Sequence, residues 1–171
     1  DDEDQVHQAT DFALQDYHIL GQPLALHYAY SAQQARAKLA QRSDFACILL
    51  DVVMEQADSG LTLVSYIRDT LQNLESRIVL RTGQPGYAPE LEVIRVYDIN
   101  DYKSKSELTR NRLITTLTAA IRSYQQIRTI EKNREGLELV IGGVSQLFRE
   151  RAVDNFCRGV LMQLCSILHI E

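Results

Sequence analysis

Polar residues suited to phosphorus chemistry stand at the ends of apolar runs or loops of this sequence. Asp51 follows the apolar run 45–50, Thr82 follows 78–80, Lys105 lies beyond 99–102, and the acidic pair Asp1-Asp2 opens the chain. In a parallel α/β sheet the carboxyl ends of the strands meet along one edge, so groups that are distant in sequence converge on one crevice. A carboxylate beside a hard cation, an ammonium and a hydroxyl can accept a phosphoryl group. This spacing predicts a phosphoryl-accepting site.

The expected partners of Asp51 divide the chemistry among them. Asp1 and Asp2 beside Asp51 would concentrate negative charge, which Mg²⁺ relieves by taking oxygen ligands. Lys105 offers an ammonium that can neutralise phosphoryl oxygens, and Thr82 offers a hydroxyl. A glycine follows Thr82, which leaves room for the backbone to approach phosphate.

Helix and strand patterns alternate through the first two thirds of the chain, which predicts a parallel sheet with helices on both faces. The periodicity of apolar residues predicts helices over 6–20, 31–41, 61–71 and 89–97 and from Glu107 onward, and strands over 24–30, 45–50, 77–81 and 98–102. Ser31 is the expected N-cap of its helix. Gly83–Gly86 is predicted to be a loop.

The helical pattern continues beyond the expected end of the compact domain near Ser123. Apolar residues recur at three and four residue spacing to 148, the segment 133–136 interrupts them, and a second amphipathic stretch covers 153–168. We therefore predict one domain over 1–123. For 124–171 we predict a helical linker and the first helices of a second, truncated domain. These helices require cover, either from a second copy of the chain or from a further domain.

Composition excludes several classes of protein. The 171 residues are 45% hydrophobic and 24% charged, as in ordinary globular proteins, and the net charge of -5 gives no reason to expect nucleic-acid binding. No stretch predicts a membrane span or a secretory signal, so we expect a cytoplasmic protein. The three cysteines show neither zinc-ligand spacing nor a disulfide framework. The start at Asp1 and the end within a helical pattern suggest a fragment.

Over 1–123 the ordered set of Asp1-Asp2, Asp51, Thr82 and Lys105 resembles the receiver domain of two-component response regulators. The resemblance implies a flavodoxin-like, doubly wound, five-stranded parallel sheet whose first strand lies upstream of Asp1. It makes Asp51 the phosphoacceptor, and Asp1, Asp2, Asp51 and the carbonyl of Val53 the ligands of Mg²⁺. It also implies that Tyr102 is the switch aromatic and that Gly83 lies beside the phosphoryl group.

The sequence around Thr82, Lys105 and the tail resembles one receiver subfamily more closely. In that subfamily the receiver precedes a domain of unknown function related to GAF domains, and often a module that makes or degrades cyclic di-GMP. The resemblance implies a sensor histidine kinase or phosphotransfer protein as donor, a homodimer formed through the C-terminal helices, and an output domain in cyclic-di-GMP turnover. The fragment itself is not expected to be an enzyme, whereas the full-length protein could be a phosphodiesterase or a cyclase.

Two alternatives stay open at this point. An aspartate-nucleophile phosphohydrolase also uses Asp, Thr and Lys, but it generally needs a second acid two residues after the nucleophile, where this chain has Val53. A receiver-like interaction module that is never phosphorylated would keep the fold without the chemistry.

Overall fold

Three short parallel strands carry the functional residues in the computed structural model, which describes residues 1–83, 96–105 and 109–168. They are β3 (Cys47–Asp51), β4 (Arg77–Thr82) and β5 (Asp101–Ser104), hydrogen-bonded in the order β3-β4-β5. Asp51 pairs with Arg81, and Thr82 pairs with Ser104. The α/β class with a parallel sheet is thus confirmed, although the described sheet contains three strands where five were expected.

Apolar residues cover both faces of this sheet because side chains alternate along each strand. One core joins the strands to the helices that follow β3, and its members include Leu50, Ile78, Leu80, Leu63, Val64 and Ile67. The other packs the opposite face against the first and last helices, and its members include Leu14, Ile19, Leu113 and Leu117. The two cores fix the strand ends that present the polar residues.

The first helix is shorter than predicted. Helix α1 spans Asp4–Leu14, and a two-stranded antiparallel hairpin follows, formed by β1 (His18–Ile19) and β2 (Gln22–Pro23). Asp16 and Leu20 have positive φ angles of 59° and 54°. A right-handed helix cannot pass through that conformation, so the predicted continuation to Leu20 was wrong.

The predicted strand over 24–30 does not form in the structure. These residues have no regular secondary structure, and a cavity of about 180 Å³ is lined by residues 25–29 on one side and by 47–50 of β3 on the other. A strand needs a hydrogen-bonding neighbour, and none of the described segments supplies one here. The expected upstream strand stays a prediction.

The helices on the β3 side follow the expected order. Helix α2 (Ala32–Gln41) begins with the predicted cap, since the side chain of Ser31 accepts a hydrogen bond from the Gln34 amide. Helix α3 (Ser59–Ser65) continues into a π-helix over Tyr66–Thr70. The buried guanidinium of Arg68 donates to the carbonyls of Asp98, Asn73 and Ser76, which ties this helix to the sheet.

Strand β5 starts three residues later than predicted. Asn100, which precedes it, donates its backbone N–H to the carbonyl of Ile78 and accepts the Ile78 amide with its side chain. That side-chain bond replaces a ladder bond at the entry to the strand. The predicted helix over 89–97, the loop Gly83–Gly86 and the helix start at Glu107 fall wholly or partly outside the described residues.

A single helix, α4, runs from Arg110 to Leu168 and contradicts the predicted interruption at 133–136. One glycine costs a helix only about 1 kcal/mol, and Arg134 pairs with Glu131 and Glu138 on adjacent turns. The chain divides into two units, Asp1–Arg128 and Thr129–Glu171. The predicted domain boundary near Ser123 remains a proposal. Within the described parts of the chain, no helix combines the length and apolar content needed to cross a bilayer.

The second unit exposes the apolar stripes that the sequence pattern indicated. Its large exposed hydrophobic side chains are Ile130, Leu137, Leu139, Val140, Ile141, Val144, Phe148, Val153, Phe156, Val160, Leu161, Met162, Leu164 and Ile167. A helix with this much apolar surface is stable in water only when another surface covers it.

Candidate functional site

Asp51 ends β3 at the carboxyl edge of the sheet and is 3% exposed. The backbone N–H of Val53 donates to its Oδ1 at 3.3 Å, which orients the carboxylate. Gly60 lies against the same strand end, where a Cβ atom would stand 2.0 Å from the Asp51 carbonyl oxygen. Its N–H donates to the Val52 carbonyl at 3.1 Å. Only glycine fits this approach, and it fixes the backbone beneath Asp51.

Lys105 reaches Asp51 from the end of β5. Its backbone N–H donates to the Thr82 carbonyl at 2.7 Å, which brings the two chain segments together. The ammonium Nζ lies 2.8 Å from Asp51 Oδ2, 3.3 Å from Asp1 Oδ1 and 2.8 Å from Glu3 Oε1. The three carboxylates therefore share one cation.

The acidic side chains form a cluster of the kind that binds hard cations. Asp1, Asp2, Glu3 and Asp51 each place a carboxylate oxygen within 4.8 Å of the others, and Asp1 and Asp51 are buried. Opposite ligands on one Mg²⁺ ion lie about 4 Å apart, and Mg²⁺ prefers oxygen donors. The donor set and its spacing fit this ion. The carbonyl of Val53, the fourth predicted ligand, belongs to the half-buried residue next to the cluster.

Electrostatics favour the ionised forms of the lysine and its outer partner. Burial lowers the pKa of Lys105, but hydrogen bonds and charges from Asp51 and Glu3 outweigh burial and raise it above the ordinary value. The hydrogen bond from Lys105 lowers the pKa of Glu3. Both groups are therefore charged near neutral pH.

Thr82, Gly83 and Tyr102, three further residues of the predicted site, lie at or beside the ends of β4 and β5. Thr82 ends β4 and is fully buried, whereas Gly83 is exposed, and a Cβ atom added to it would lie 3.8 Å from the Lys105 side chain. Tyr102 is 7% exposed and lies in the core cluster, paired in register with Leu80. The inward position of Tyr102 is the one that the resemblance associates with the switched state.

Three residues of the site were missed by the sequence interpretation. Glu3 sits inside an acidic run that marked only Asp1 and Asp2, although its position one residue later was a usable signal. Gly60 has no local pattern that reveals a close approach to β3. Arg81 looked like an ordinary strand residue beside Thr82, yet its side chain is 7% exposed and its NH2 group lies 3.5 Å from Asp1 Oδ2.

Solved structures of other proteins show which fold carries this site. The signal receiver domain of an HD domain-containing protein from Pseudomonas fluorescens Pf-5 is 25% identical, with a TM-score of 0.61 over 75% of this chain and 88% of that one. NtrX from Brucella abortus has a TM-score of 0.62 at 23% identity, over 78% of this chain and 29% of its own. The chain therefore contains a domain with the fold of response regulator receiver domains. The predicted resemblance is confirmed at the level of the fold.

Beyond the receiver domain, two comparisons concern the remainder of the chain and the longer protein. Residues 117–171 match a family described as a domain of unknown function (DUF3369). The 3'3'-cGAMP-specific phosphodiesterase 2 of Vibrio cholerae is 44% identical over all 171 residues. The chain spans about a third of the length of that relative, 33%. A receiver-like fold followed by a match to a domain of unknown function agrees with the predicted subfamily.

Proposed function

We propose that Asp51 accepts a phosphoryl group from a phosphohistidine on a sensor kinase or phosphotransfer protein. The contact that supports this most directly is the 2.8 Å ion pair between Lys105 Nζ and Asp51 Oδ2 inside an acidic cluster. A carboxylate oxygen forms a bond to phosphorus while the bond from phosphorus to the imidazole nitrogen breaks. The imidazole leaves with a proton from solvent, and Asp51 becomes an acyl phosphate.

The side chains around Asp51 have separate roles in this proposal. Lys105 moves from a carboxylate to a phosphoryl oxygen, because its ammonium is held by charges and not by packing. Thr82 offers its hydroxyl to a second phosphoryl oxygen, and Gly83 leaves space beside it. Asp1, Asp2, Asp51 and the carbonyl of Val53 would hold Mg²⁺, with Glu3 at the outer side. When bound, the ion supplies neutralisation of the negative charge on phosphate.

Signal output requires an element with two arrangements. We propose that movement of Thr82 toward the phosphoryl group stabilises the inward position of Tyr102, which changes the face of the domain beside β5. Helix α4 packs its first turns against the sheet through Leu113 and Leu117, so it is the natural transmitter to whatever follows.

The output that we propose is turnover of a 3',3'-cyclic dinucleotide by a later domain of the full-length protein. The name of the Vibrio cholerae relative and its 44% identity over the whole chain support this class, and they favour a phosphodiesterase over a cyclase. The cyclic-di-GMP expected from the resemblance and the cGAMP of that name belong to this one chemical class. The segment described here would then regulate the enzyme without containing its active site.

A homodimer through α4 is the second part of the proposal. Four exposed apolar residues of α4 recur at spacings of four, three and four: Leu137, Ile141, Val144 and Phe148. Val144 is the least exposed of them. That spacing is typical of a seam between two helices. Analytical ultracentrifugation of the full-length protein should give a dimer, and a monomer at micromolar concentration would contradict this part alone.

The phosphoacceptor is tested by intact-mass measurement of the full-length protein with Mg²⁺ and a small phosphodonor such as acetyl phosphate. We expect the mass to increase by one phosphoryl group in the unmodified protein and in Asp58→Asn, a control at an exposed aspartate near the site. Asp51→Asn should gain nothing. A folded protein that never gains the group would support the alternative of an unphosphorylated interaction module.

A further inference from the structure

The one buried arginine that touches the acidic cluster in the described parts of the chain has no role in the receiver chemistry derived above. Arg81 precedes Thr82 on β4, and its side chain projects to the face of α1 and α4. Its NH1 group donates to Thr10 Oγ1 at 3.3 Å, and its NH2 group lies 3.5 Å from Asp1 Oδ2. Its Nε atom is buried and has no hydrogen-bond partner within residues 1–83, 96–105 and 109–168. A guanidinium in such surroundings is costly unless a nearby charge offsets burial.

The contact with Asp1 is made from the interior, opposite to the side used by Lys105. Asp1 therefore lies between two cations, with Oδ1 facing Lys105 and Oδ2 facing Arg81. Asp1 Oδ2 has no hydrogen-bond partner among the described residues, and the guanidinium of Arg81 is the cation that faces it from the interior. Burial lowers the pKa of Arg81, while the negative charge of Asp51 opposes that effect. The guanidinium thus interacts with both buried carboxylates of the cluster.

Charge balance shows what this arrangement does. Counting side chains alone, as applies to the full-length protein, the four carboxylates with Lys105 and Arg81 leave two negative charges in the described cluster. A divalent cation matches that balance. Without Arg81 three negative charges would face the ion, and Asp1 would have lost its interior partner. The attraction for a cation would then increase, because Coulomb interactions at a few Å remain strong where water is excluded.

We propose that Arg81 is a positioning residue that holds Asp1 from inside the domain and limits the affinity of the acidic cluster for divalent cations. The inference rests on the proposed function, since it concerns the same metal site. A moderate affinity lets the ion exchange when phosphate arrives or leaves. Arg81 acts through Asp1 and the local field, and it does not contact the phosphoryl group.

Calorimetric titration of the full-length protein with Mg²⁺ tests this inference. The double variant Asp1→Asn, Asp51→Asn gives the blank, because it removes the cluster's own binding. We expect Arg81→Met to bind Mg²⁺ more tightly than the unmodified protein by on the order of ten-fold. Arg81→Gln keeps a donor for Thr10 and should show the same gain. Arg81→Lys retains the charge and should stay within about two-fold of the original affinity.

Arg77 offers a matched control on the same strand. It lies four residues before Arg81 on the same face of β4, roughly 13 Å away along the strand. Its side chain bonds to backbone carbonyls of Glu75 and Leu74 at the other end. Arg77→Met removes one positive charge without touching the cluster, so its Mg²⁺ affinity should remain within about two-fold of the unmodified protein, as charge effects weaken with distance.

The possible results separate this inference from the proposed function. A damaged fold can only weaken the site, so a gain of affinity in Arg81→Met and Arg81→Gln cannot come from structural damage. Unchanged or weaker binding in both variants would overturn the role of Arg81 while leaving the metal site in place. If the unmodified protein binds no more Mg²⁺ than the blank, the proposed metal site fails and this inference fails with it.

Discussion

The two units of this chain use the same kinds of apolar residue in opposite ways. In the first unit Leu63, Val64 and Ile67 are at most 1% exposed, whereas in the second unit Leu137 and Ile141 are more than 60% exposed. The first unit therefore has its own core and places its polar residues at one strand edge. The second unit has apolar helical stripes that are exposed among the described residues. The difference indicates that the candidate site is built within the first unit, whereas the proposed output would depend on a surface that covers the second.

Glycine-to-alanine substitutions should change the free energy of unfolding in opposite directions in the two units, and this is the largest difference that we expect. Gly60→Ala places a Cβ 2.0 Å from the Asp51 carbonyl oxygen, so β3 or α3 must shift, and we expect a loss of about 3 kcal/mol or more. Gly142→Ala has open space around it and should gain roughly 0.5 to 1 kcal/mol through helix propensity. Urea unfolding followed by circular dichroism measures both. Equal effects would show that the two glycines do not differ as described.

Truncation of a single apolar side chain gives the next largest contrast. Leu63→Ala should cost about 2 to 5 kcal/mol in any form of the protein, since it leaves a cavity in a closed core. Ile141→Ala should cost under about 0.5 kcal/mol in the 171-residue chain. That small cost applies to the 171-residue chain diluted until it is monomeric. In the full-length dimer the same change should cost more, because the partner surface is then present. If Ile141→Ala is neutral in both forms, its stripe is not an interface.

Cysteine reactivity compares the units without any substitution. Burial raises the pKa of Cys47 to about 12, while Cys157 and Cys165 are exposed on α4. Because the thiolate is the reacting form, iodoacetamide should modify Cys47 at least about ten-fold more slowly than the other two. Peptide mass mapping over time gives the three rates. Protection of Cys157 and Cys165 in the full-length protein would locate the cover of the second unit.

The pH dependence of stability should show the smallest effect. The pKa of Glu3 lies below its ordinary value of 4.5, so its ion pair stabilises the fold above that pH and is lost as the pH falls through the lowered value. The pKa of Lys105 lies above 10.5, so its contribution is complete below that pH and is lost as the pH rises through the raised value.

Glu3→Gln should therefore slightly reduce the loss of stability at acid pH. At alkaline pH the loss of stability should then depend on the ion pair of Lys105 with Asp51. Thermal unfolding between acid and neutral pH measures the slope. Glu135→Gln, at an exposed position of α4 that forms no salt bridge within the described residues, is the matched control and should leave the slope unchanged. An unaltered acid limb in Glu3→Gln would mean that its pair with Lys105 contributes nothing.

The sequence indicated which residues meet at the candidate site better than it indicated the bounds of the surrounding helices and strands. Asp51 and Thr82 could be found because each follows an apolar run, and Lys105 because it follows the predicted strand over 98–102; the end of a strand pattern is visible in the sequence itself. Arg81 and Gly60 could not, since their importance comes from what lies beside them in space. The strand over 24–30 was predicted from the pattern of apolar residues, which indicates a tendency, whereas a strand also requires a neighbour. The helix end at Leu14 depended on a positive φ at Asp16, which its residue type permits but does not dictate.

The position of β3 at the margin of the described sheet has a practical consequence for solubility. Its residues Cys47–Asp51 are largely apolar, and on the side away from β4 their backbone groups face the cavity beside 25–29. An apolar strand with a free edge is a template for pairing with another chain. When produced as these 171 residues, the protein should therefore aggregate as its concentration rises, because strands of other chains can pair with β3. A substitution that prevents hydrogen bonding at this edge should keep the protein in solution.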